Sequence, residues 1–404
     1  MNVLFILYHN FKANSAIQVH NFANGLCEIG VNCIIAVPND KQTVNTYIGG
    51  VIKYHPLNYD EVLQKIPLIF GIKGPDIIHV WTPREIVRKF CEKIKLEFPY
   101  SKIIIDLEDN EEIIVASNLG TSFKKLENKT IATLDSIIPE SLSHPIRYKK
   151  FLSESDGVTV IMDSLLAFVP KEKKNLVLWP ILDIKRFGDA NEELPKEDIN
   201  LKKEKKIILS YIGNVHSANY KEVRSLYLAV ALANREGIPT KLIRAGTNYV
   251  KFWGEEEQEI LTKDNLIELG FIPNHEVPSI LMASDILIQP GEPSVFNDYR
   301  LPSKLVEFLA SGKPVALPST NLGRFLKDGE EAILLDKGNA LDVLSVIRKF
   351  KEHPAFFSKI GEKGKEFAIK NFDKDIQSMK LLNFYKNVLN ERNDTRKKEK
   401  RTLN

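Results

Sequence analysis

Short apolar runs rich in β-branched residues alternate with amphipathic stretches along most of the chain, and this alternation restricts the available folds. In the first part, strands are predicted at 3–8, 33–38, 51–54, 76–81, 102–107, 158–162 and 176–179. Between them apolar residues recur at the spacing of one helix face, for example between 85 and 98. Buried parallel strands joined by helices form right-handed βαβ units, so the pattern predicts a doubly wound α/β sheet.

A second alternating series follows a polar stretch near the middle of the chain. Its strands are predicted at 207–212, 241–245, 266–271, 285–289, 314–317 and 332–335. A chain of 404 residues exceeds what one core usually organises, which favours two domains. The predicted organisation is a first Rossmann-like domain (1–187), a linker (188–206), a second Rossmann-like domain (207–370), a helix (371–390) able to pack back on the first domain, and a disordered basic tail (391–404).

Charge, cysteine usage and hydropathy exclude several classes of protein. Lys and Arg number 56 against 53 Asp and Glu, so a nucleic-acid partner is not expected. Cys27, Cys33 and Cys91 show no CxxC spacing, which favours a reducing compartment and therefore the cytoplasm. Because no apolar run reaches spanning length, contact with a membrane would be peripheral, at its inner face.

The strand, polar loop and helix between 285 and 318 are the most informative stretch. Loops at the carboxyl ends of strands form the ligand crevice of a doubly wound sheet. Pro302 suits the first helical turn and Ser303 lies beside it, so backbone N–H groups there would face an anion such as a diphosphate. Lys304 adds a positive charge, and Glu307, one turn later, could accept hydrogen bonds from two ribose hydroxyls. The alternative is an i, i+3 surface pair of Lys304 and Glu307.

The same stretch resembles the donor-site motif of glycosyltransferase family four, the retaining, group 1 type. The resemblance rests on the run PSKLVEFLASGKPV from Pro302 to Val315, followed by Asn321-Leu322-Gly323 and Asp328-Gly329-Glu330. Further similar segments are Ser15 to His20 with Phe22, Ala23, Leu26 and Gly30, Asp76 to His79 with Thr82-Pro83, Tyr211 to Gly213, and Pro180 with Asp183 and Phe187. The resemblance implies a GT-B fold of two Rossmann-like domains facing a cleft, a nucleotide-sugar donor, an acceptor hydroxyl and transfer with retention.

The chain departs from the family pattern at two places in the second domain. The family's first Glu falls at Tyr299, with Asp298 adjacent, and these two residues are candidate catalytic groups. The family's basic pair after the Gly213 strand is absent, so other cations must meet the diphosphate. The predicted donor-binding set is Gly213, His216, Arg244, Arg300, Ser303, Lys304 and Glu307.

An acidic run after the fifth predicted strand is the candidate reactive site of the first domain. Glu108 or Asp109 could hold donor-sugar hydroxyls or manage the acceptor proton. The alternative is a solvated acidic turn that caps the next helix. On the acceptor side the candidates are Ser15 and His20, although a lone His on a helix face also serves as a packed or capping residue. His79 carries the same two alternatives.

Neither a metal ion nor a cofactor is expected. The Asp373-Lys374-Asp375 run has the DxD spacing but lies at a helix start, where acidic residues favour the helix dipole. Walker A, GxGxxG, GxSxG and HExxH motifs are absent from the sequence. The sequence therefore predicts a hexosyltransferase that moves a sugar from a nucleotide-sugar to a glycan or lipid-linked acceptor in glycan or surface polysaccharide assembly. A GT-B sugar-nucleotide epimerase and, because Tyr299 replaces a family carboxylate, a non-catalytic partner subunit stay open.

Overall fold

The computed structural model describes residues 1–187, 205–217, 219–251 and 265–402. The chain divides into two compact units: unit 1 comprises Met1–Ile181 together with the chain from Lys374 onward, and unit 2 comprises Leu182–Asp373. The last helix of the chain therefore belongs to the first domain. The predicted domain boundaries at 187 and 370 lie close to the observed ones, which follow Ile181 and Asp373. The predicted linker at 188–206 lies outside the described residues except for its last two positions.

Unit 1 is built on seven parallel strands in the order β3-β2-β1-β4-β5-β6-β7. The strands are β1 (Asn2–Ile6), β2 (Asn32–Val37), β3 (His55–Asn58), β4 (Ile77–Trp81), β5 (Lys102–Leu107), β6 (Gly157–Val160) and β7 (Asn175–Val177). Its helices are α1 (Asn14–Glu28), α2 (Tyr59–Phe70), α3 (Glu85–Glu97), α4 (Glu111–Asn118), α5 (Phe123–Glu127), α6 (Ile131–Ile137), α7 (Arg147–Glu154) and the final helix of the chain, α14 (Lys374–Thr402). Shorter helical turns lie at Val44–Ile48 and Asp163–Phe168.

The third strand lies further along the chain than the sequence predicts. The apolar run 51–54 suggested a strand, but Val51 is 69% exposed and β3 occupies His55–Asn58. In β3, His55 pairs with Ile34 of β2, and the strand forms one edge of the sheet. An edge strand tolerates Pro56 because its missing N–H is not needed by a second neighbour. Hydrophobicity alone therefore misplaced this strand.

Helix α14 completes the core of unit 1. Its buried side chains Leu381, Leu382, Phe384, Tyr385 and Val388 join the cluster that covers one face of the sheet. A Cβ built on Gly157 of β6 would lie 3.0 Å from Phe384, so the helix packs closely on the strand. The sequence predicted a helix at 371–390 and a disordered tail from 391, whereas α14 continues to Thr402. The stretch contains neither Gly nor Pro and is rich in Lys, Arg and Glu, which favour helix.

Unit 2 is built on six parallel strands in the order β10-β9-β8-β11-β12-β13. The strands are β8 (Ile207–Ile212), β9 (Thr240–Ala245), β10 (Leu266–Gly270), β11 (Ile286–Ile288), β12 (Val315–Pro318) and β13 (Ile333–Leu335). Its helices are α8 (Tyr220–Arg235), α9 (Val277–Met282), α10 (Val295–Asp298), α11 (Lys304–Ala310), α12 (Ala340–Glu352) and α13 (Pro354–Phe372), with short turns at Ile184–Phe187, Asn274–Glu276 and Asn321–Phe325. Within the described ranges of both units, no helix combines the length and apolar character that crossing a membrane requires.

Each sheet reverses its strand order beside its first strand. In unit 1 the reversal lies between β1 and β4, and in unit 2 it lies between β8 and β11. Doubly wound sheets bind ligands outside the carboxyl ends of the strands at such a point. The loops that follow β8 and β11 in unit 2, and those that follow β1 and β4 in unit 1, therefore flank the expected ligand sites, and the loop after β5 lies beside the one after β4.

Candidate active site

Lys304 begins α11, and its side chain extends to the end of β8. The Lys304 Nζ lies 4.0 Å from the centre of the Tyr211 ring, a cation–π contact. A Cβ built on Gly213 would lie 2.7 Å from the same nitrogen. The ammonium therefore lies against Gly213 at the switch point of unit 2, and a larger residue at position 213 would displace it.

Charged neighbours surround the half-buried Lys304. Burial, followed by the positive charge of Arg300, lowers the pKa of Lys304 to about 7, and Glu222 opposes the shift. Burial also lowers the pKa of His216, and the charges of Arg300 and Lys304 lower it further. The structure thus brings together Gly213, His216, Arg300 and Lys304, a group called here the basic edge. An anion at this edge would relieve the repulsion between Arg300 and Lys304.

Arg244, which was predicted to contact the diphosphate, instead braces the loop after β8. Its side chain is 2% exposed, and its Nε donates to Glu268 Oε1 at 3.1 Å. The guanidinium also donates to the carbonyl oxygens of Gly213 and Gly246, at 3.4 and 3.1 Å. These two glycines approach closely, since a Cβ on Gly246 would lie 2.3 Å from the Gly213 oxygen. Strand β9 places Arg244 next to this loop, so Arg244 is a positioning residue for Gly213.

Glu307 makes an ion pair that the sequence analysis missed. Arg186 Nη1 donates to Glu307 Oε1 at 2.9 Å, and Nη2 of the same guanidinium contacts the backbone and side-chain oxygens of Asn274. Burial raises the pKa of Glu307, while the charge and hydrogen bond of Arg186 lower it. The alternative pairing with Lys304 is not found, since among the described residues Glu307 pairs with Arg186. No spacing rule could have joined positions 121 residues apart.

The start of α11 differs from the predicted anion site. The helix begins at Lys304 rather than at Pro302, and Ser303 is its N-cap residue without a side-chain capping bond. The N–H groups of Leu305 and Val306 donate to the Pro302 and Ser303 carbonyls, at 3.0 and 3.2 Å. Because these N–H groups are already bonded locally, the positive charge at this edge comes from side chains.

Asp298 and Tyr299 end the short helix α10 in the loop before α11. Asp298 is half-buried and accepts a hydrogen bond from the Thr320 hydroxyl, which ties this loop to the segment after β12. Tyr299 is the C-cap residue of α10 and is also half-buried. Asn297 donates from Nδ2 to the Glu292 carbonyl at 2.9 Å and lies 3.5 Å from Glu222 Oε1. Nothing in the sequence distinguishes Glu222 from an ordinary acidic residue in the first turn of a helix, so it could not be predicted as a site residue.

Carboxylates gather after β5 in unit 1. The Ser15 hydroxyl donates to Glu108 Oε2, so two predicted residues meet. Burial raises the pKa of Glu108, and the hydrogen bond of Ser15 and the charge of Arg84 oppose that rise. The Arg84 guanidinium stacks 3.9 Å above the Tyr8 ring and lies 3.6 Å from Glu111 Oε2. The group formed by Ser15, Glu108, Asp109 and Glu111 is called here the acid edge.

The acid edge is more than a capping turn. Asn110, rather than an acidic residue, caps α4 by accepting the Ile113 N–H at 3.1 Å. Glu111 is buried and accepts a hydrogen bond from the Ser143 hydroxyl at 2.7 Å. Burial lowers the pKa of Arg84, but the charges of Glu111, Tyr8 and the half-buried Asp109 together raise it above its usual value. Acidic residues of a solvated capping turn would lack these buried contacts.

His20 and His79 are both packed in the interior of unit 1. The Nδ1 of His20 lies 3.0 Å from the Tyr54 hydroxyl, and burial lowers the pKa of His20 to about 4. His79 is fully buried between Tyr385 and Thr159. The structure therefore gives both residues the packed arrangement and brings neither into the acid edge.

Within the parts of the chain that the structure describes, no three His, Cys, Asp or Glu side chains are grouped as a metal site requires. The Asp373-Lys374-Asp375 run joins α13 to α14, and Lys374 forms an ion pair with Glu28 at 2.7 Å.

Comparisons with known proteins identify a family that part of the chain matches. Residues 193–367, which include the basic edge and Glu307, match the family described as Glycosyl transferases group 1. The match to this family therefore lies within unit 2, and the two doubly wound units of the chain have the GT-B fold. The predicted fold class is confirmed and the family match supports the predicted enzyme class, while the narrower assignment to family four stays a prediction.

Solved structures resemble the chain over nearly its whole length. A glycosyltransferase from Rickettsia africae ESF-5 is 15% identical with a TM-score of 0.67, covering 96% of this chain and 98% of that chain. Anabaena Alr3699/HepE, solved in complex with UDP and glucose, is 14% identical with a TM-score of 0.66, covering 95% and 98%. A segment of 67 residues is 45% identical to TuaH of Bacillus subtilis (strain 168), which is named as a teichuronic acid biosynthesis glycosyltransferase. That segment spans 16% of this chain and 17% of TuaH.

Proposed function

We propose that the protein transfers a sugar from a nucleoside diphosphate sugar, bound by unit 2, to an acceptor hydroxyl handled by unit 1. The observation that carries the proposal is the Lys304 ammonium held against Gly213 at the switch point of unit 2, beside Arg300. Such a cationic group suits a diphosphate. Uridine nucleotides are the first to test, since HepE was solved in complex with UDP-glucose.

In this proposal unit 2 binds the donor and stabilises its leaving group. Lys304 and Arg300 meet the diphosphate, which gains negative charge as the bond to the sugar breaks, so preplaced cations favour the transition state. Glu307 accepts hydrogen bonds from the ribose hydroxyls, and Arg186 orients the Glu307 carboxylate by holding Oε1. These cations fill the role that a divalent metal fills elsewhere, so we propose a reaction without metal or cofactor. We also propose transfer with retention at the anomeric carbon, as the family resemblance implies.

Unit 1 supplies the acid edge to the acceptor. Glu108, whose pKa is raised by burial, can accept the proton of the attacking hydroxyl, and Ser15 fixes one of its oxygens. The acceptor that we propose is a glycan or lipid-linked hydroxyl in surface polysaccharide assembly, in keeping with the name of the TuaH relative. We propose a cytoplasmic enzyme that reaches a lipid-linked acceptor by peripheral contact; its three free cysteines fit a reducing compartment.

The test is a panel of nucleoside diphosphate sugars in two stages. A true donor raises the melting temperature, because a ligand that binds only the folded state stabilises it. Stabilising donors are then incubated with glycan and lipid-linked acceptors, and release of the nucleoside diphosphate is followed together with the glycosylated product. Acceptor-dependent release supports the proposal. Conversion of the donor into an isomer without acceptor would instead indicate an epimerase, and stabilisation without any turnover would indicate a partner subunit.

A further inference from the structure

Four buried polar side chains connect helix α14 with the strand that leads to the acid edge. His79, Thr159 and Tyr385 are fully buried, and Asp106 is 2% exposed. The Nδ1 of His79 lies 2.7 Å from the Tyr385 hydroxyl, and its Nε2 lies 3.1 Å from the Thr159 hydroxyl. The Thr159 hydroxyl donates in turn to Asp106 Oδ1. Burying so many polar groups is costly unless each is bonded, and the roles assigned above use none of them.

The register of unit 1 builds this arrangement. Asp106 of β5 pairs with Trp81 of β4 on one side and with Thr159 of β6 on the other, so the three side chains share one face of the sheet. His79 precedes Trp81 by two residues and therefore projects from the same face. Helix α14 covers that face, because Gly157, two residues before Thr159, leaves room for Phe384.

The hydrogen bonds run in one direction when Asp106 is ionised, because a carboxylate only accepts. The single Thr159 hydrogen is donated to Asp106, so the Thr159 oxygen accepts from His79 Nε2–H. A neutral imidazole carries one N–H, so His79 Nδ1 accepts from the Tyr385 hydroxyl. Burial lowers the pKa of His79 to about 3, which keeps the ring neutral. Asp106 Oδ2, at the end of the line, has no hydrogen-bond partner among the described residues.

We propose that Tyr385 is a positioning residue for the acid edge, acting through a one-way relay of hydrogen bonds from Tyr385 to His79, Thr159 and Asp106. The relay fixes the Nε2–H form of His79 and stabilises the ionised form of Asp106 by one hydrogen bond. A negative charge on Asp106 then makes Glu108, two residues further along the chain, a stronger base toward the proton of the acceptor hydroxyl. The inference rests on the proposed function only in giving Glu108 its role toward the acceptor.

The electrostatic coupling between the two carboxyl groups supports this relay. Burial raises the pKa of Asp106 well above its usual range, the Glu108 charge adds to that rise, and the Thr159 hydrogen bond opposes it. Other charged or titratable groups that act on the pair or on Tyr385 are Arg84, Glu111 and Cys33. Since α14 supplies Tyr385, the final helix of the chain would influence chemistry at the end of β5.

The first test is the tautomer of His79 in the full chain without substrate. Nitrogen-15 NMR distinguishes protonated from unprotonated ring nitrogens. The relay requires hydrogen on Nε2 and none on Nδ1, whereas hydrogen on Nδ1 would reverse the direction and overturn the proposal. Turnover is not involved, so this result stands apart from the proposed function. A wild-type chain that transfers no sugar would remove that function while leaving the tautomer to decide on the relay.

The second test is the titration of the Asp106 carboxyl, followed by carbon-13 NMR in the same full chain. Thr159→Val keeps the shape but removes the hydroxyl, so the Asp106 pKa is expected to rise by about one unit, the size of a lost hydrogen bond to a charged group. Tyr385→Phe should shift it in the same direction, and Thr159→Ser, which keeps the hydroxyl, should leave it unchanged. A lower melting temperature with an unshifted Asp106 titration in Thr159→Val and Tyr385→Phe would show a purely structural role and overturn the proposal.

Discussion

Unit 1 and unit 2 use the same doubly wound architecture, yet the loops at the carboxyl ends of their strands carry opposite charge in the two candidate sites. In unit 2, Lys304 and Arg300 follow β11, and a bound anion would offset the repulsion between them. In unit 1, Glu108 and Glu111 follow β5, and Arg84 offsets only part of their charge. The fold thus determines where a ligand binds, while the side chains after each strand determine which chemistry is possible there.

Burial acts on both edges in the same sense, toward the neutral form. It lowers the pKa of Lys304 to about 7 and raises the pKa of Glu108. Each edge therefore contains a group whose charge can respond to its ligand. A bound diphosphate would favour the protonated form of Lys304, and an acceptor hydroxyl could give its proton to Glu108. The comparison predicts that changes in unit 2 alter donor affinity, whereas changes in unit 1 alter turnover.

The largest expected effect is on turnover, from Glu108→Gln. The amide can still accept the Ser15 hydrogen bond but cannot accept a proton, so kcat should fall by about a hundredfold or more. Affinity for the nucleoside diphosphate, measured by calorimetry, should not change. Glu112→Gln, in the first turn of α4, is the matched control. Weakened nucleotide binding with normal kcat would assign Glu108 to the donor and break the comparison.

Lys304→Ala should weaken nucleoside diphosphate binding by about a hundredfold, since it removes a charge-assisted contact. Affinity for the nucleoside alone should change much less. Calorimetry with both ligands makes the measurement, and Lys349→Ala removes one exposed lysine from α12 as a control. Equal losses for the two ligands would mean that Lys304 does not contact phosphate.

Glu307→Gln should weaken binding of both the nucleoside and its diphosphate by about tenfold. The amide oxygen can keep the bond from Arg186, but the NH₂ group would confront a ribose hydroxyl that needs an acceptor. The melting temperature should move little, and Glu330→Gln, an exposed control, should change neither quantity. Unchanged nucleoside affinity together with a lower melting temperature would reduce Glu307 to a structural partner of Arg186.

Nucleoside diphosphate affinity should fall about fivefold from pH 7 to pH 8. The sign follows from the pKa of Lys304, which burial lowers to about 7 in the free protein. The charged form binds phosphate, so affinity is highest below pH 7 and declines as the ammonium loses its proton. Calorimetry at pH 8 in buffers of different ionisation enthalpy should show proton uptake on binding. Lys304→Arg, which stays charged, should remove this dependence; a wild-type affinity that is flat across the range would contradict the assignment.

The smallest expected effect is that of chelation. Transfer should continue unchanged in EDTA, because Lys304 and Arg300 are proposed to meet the diphosphate. The rate is measured with and without EDTA, and again after manganese is added back. If EDTA abolished transfer and manganese restored it, the side-chain cations of the basic edge would not be enough to neutralise the diphosphate, and a metal ion would be required.

Local patterns in the sequence were enough for most of the fold and for placing Lys304 and Glu307 on one helix of the candidate site. Apolar runs located strands such as β5 and β8, and the i, i+3 spacing of Lys304 and Glu307 in a helix after a strand located two neighbouring groups. Edge strand β3 was misplaced because only Leu57 of its four residues is buried, so its hydrophobicity is low.

Contacts distant in sequence were not accessible in this way. Glu307 meets Arg186 across 121 residues, and His79 meets Tyr385 across 306 residues. The direction of the Arg244 side chain was also out of reach, since a buried arginine on a strand can face either a ligand or a loop. Such choices depend on packing between elements, which periodicity does not describe.

The chain forms unit 1, leaves it to form unit 2, and returns to unit 1 at Lys374. On the ribosome, unit 2 is therefore the first unit whose residues are all available. Until Phe384 and Tyr385 emerge, the sheet face that α14 covers lacks its partner and exposes apolar surface to the cell. A fragment that stops at Ile181 should consequently aggregate, whereas the segment from Leu182 to Asp373, whose ends are joined by the hydrogen bond from the Leu182 N–H to the Phe372 carbonyl at 2.9 Å, has the features of an independently folding domain.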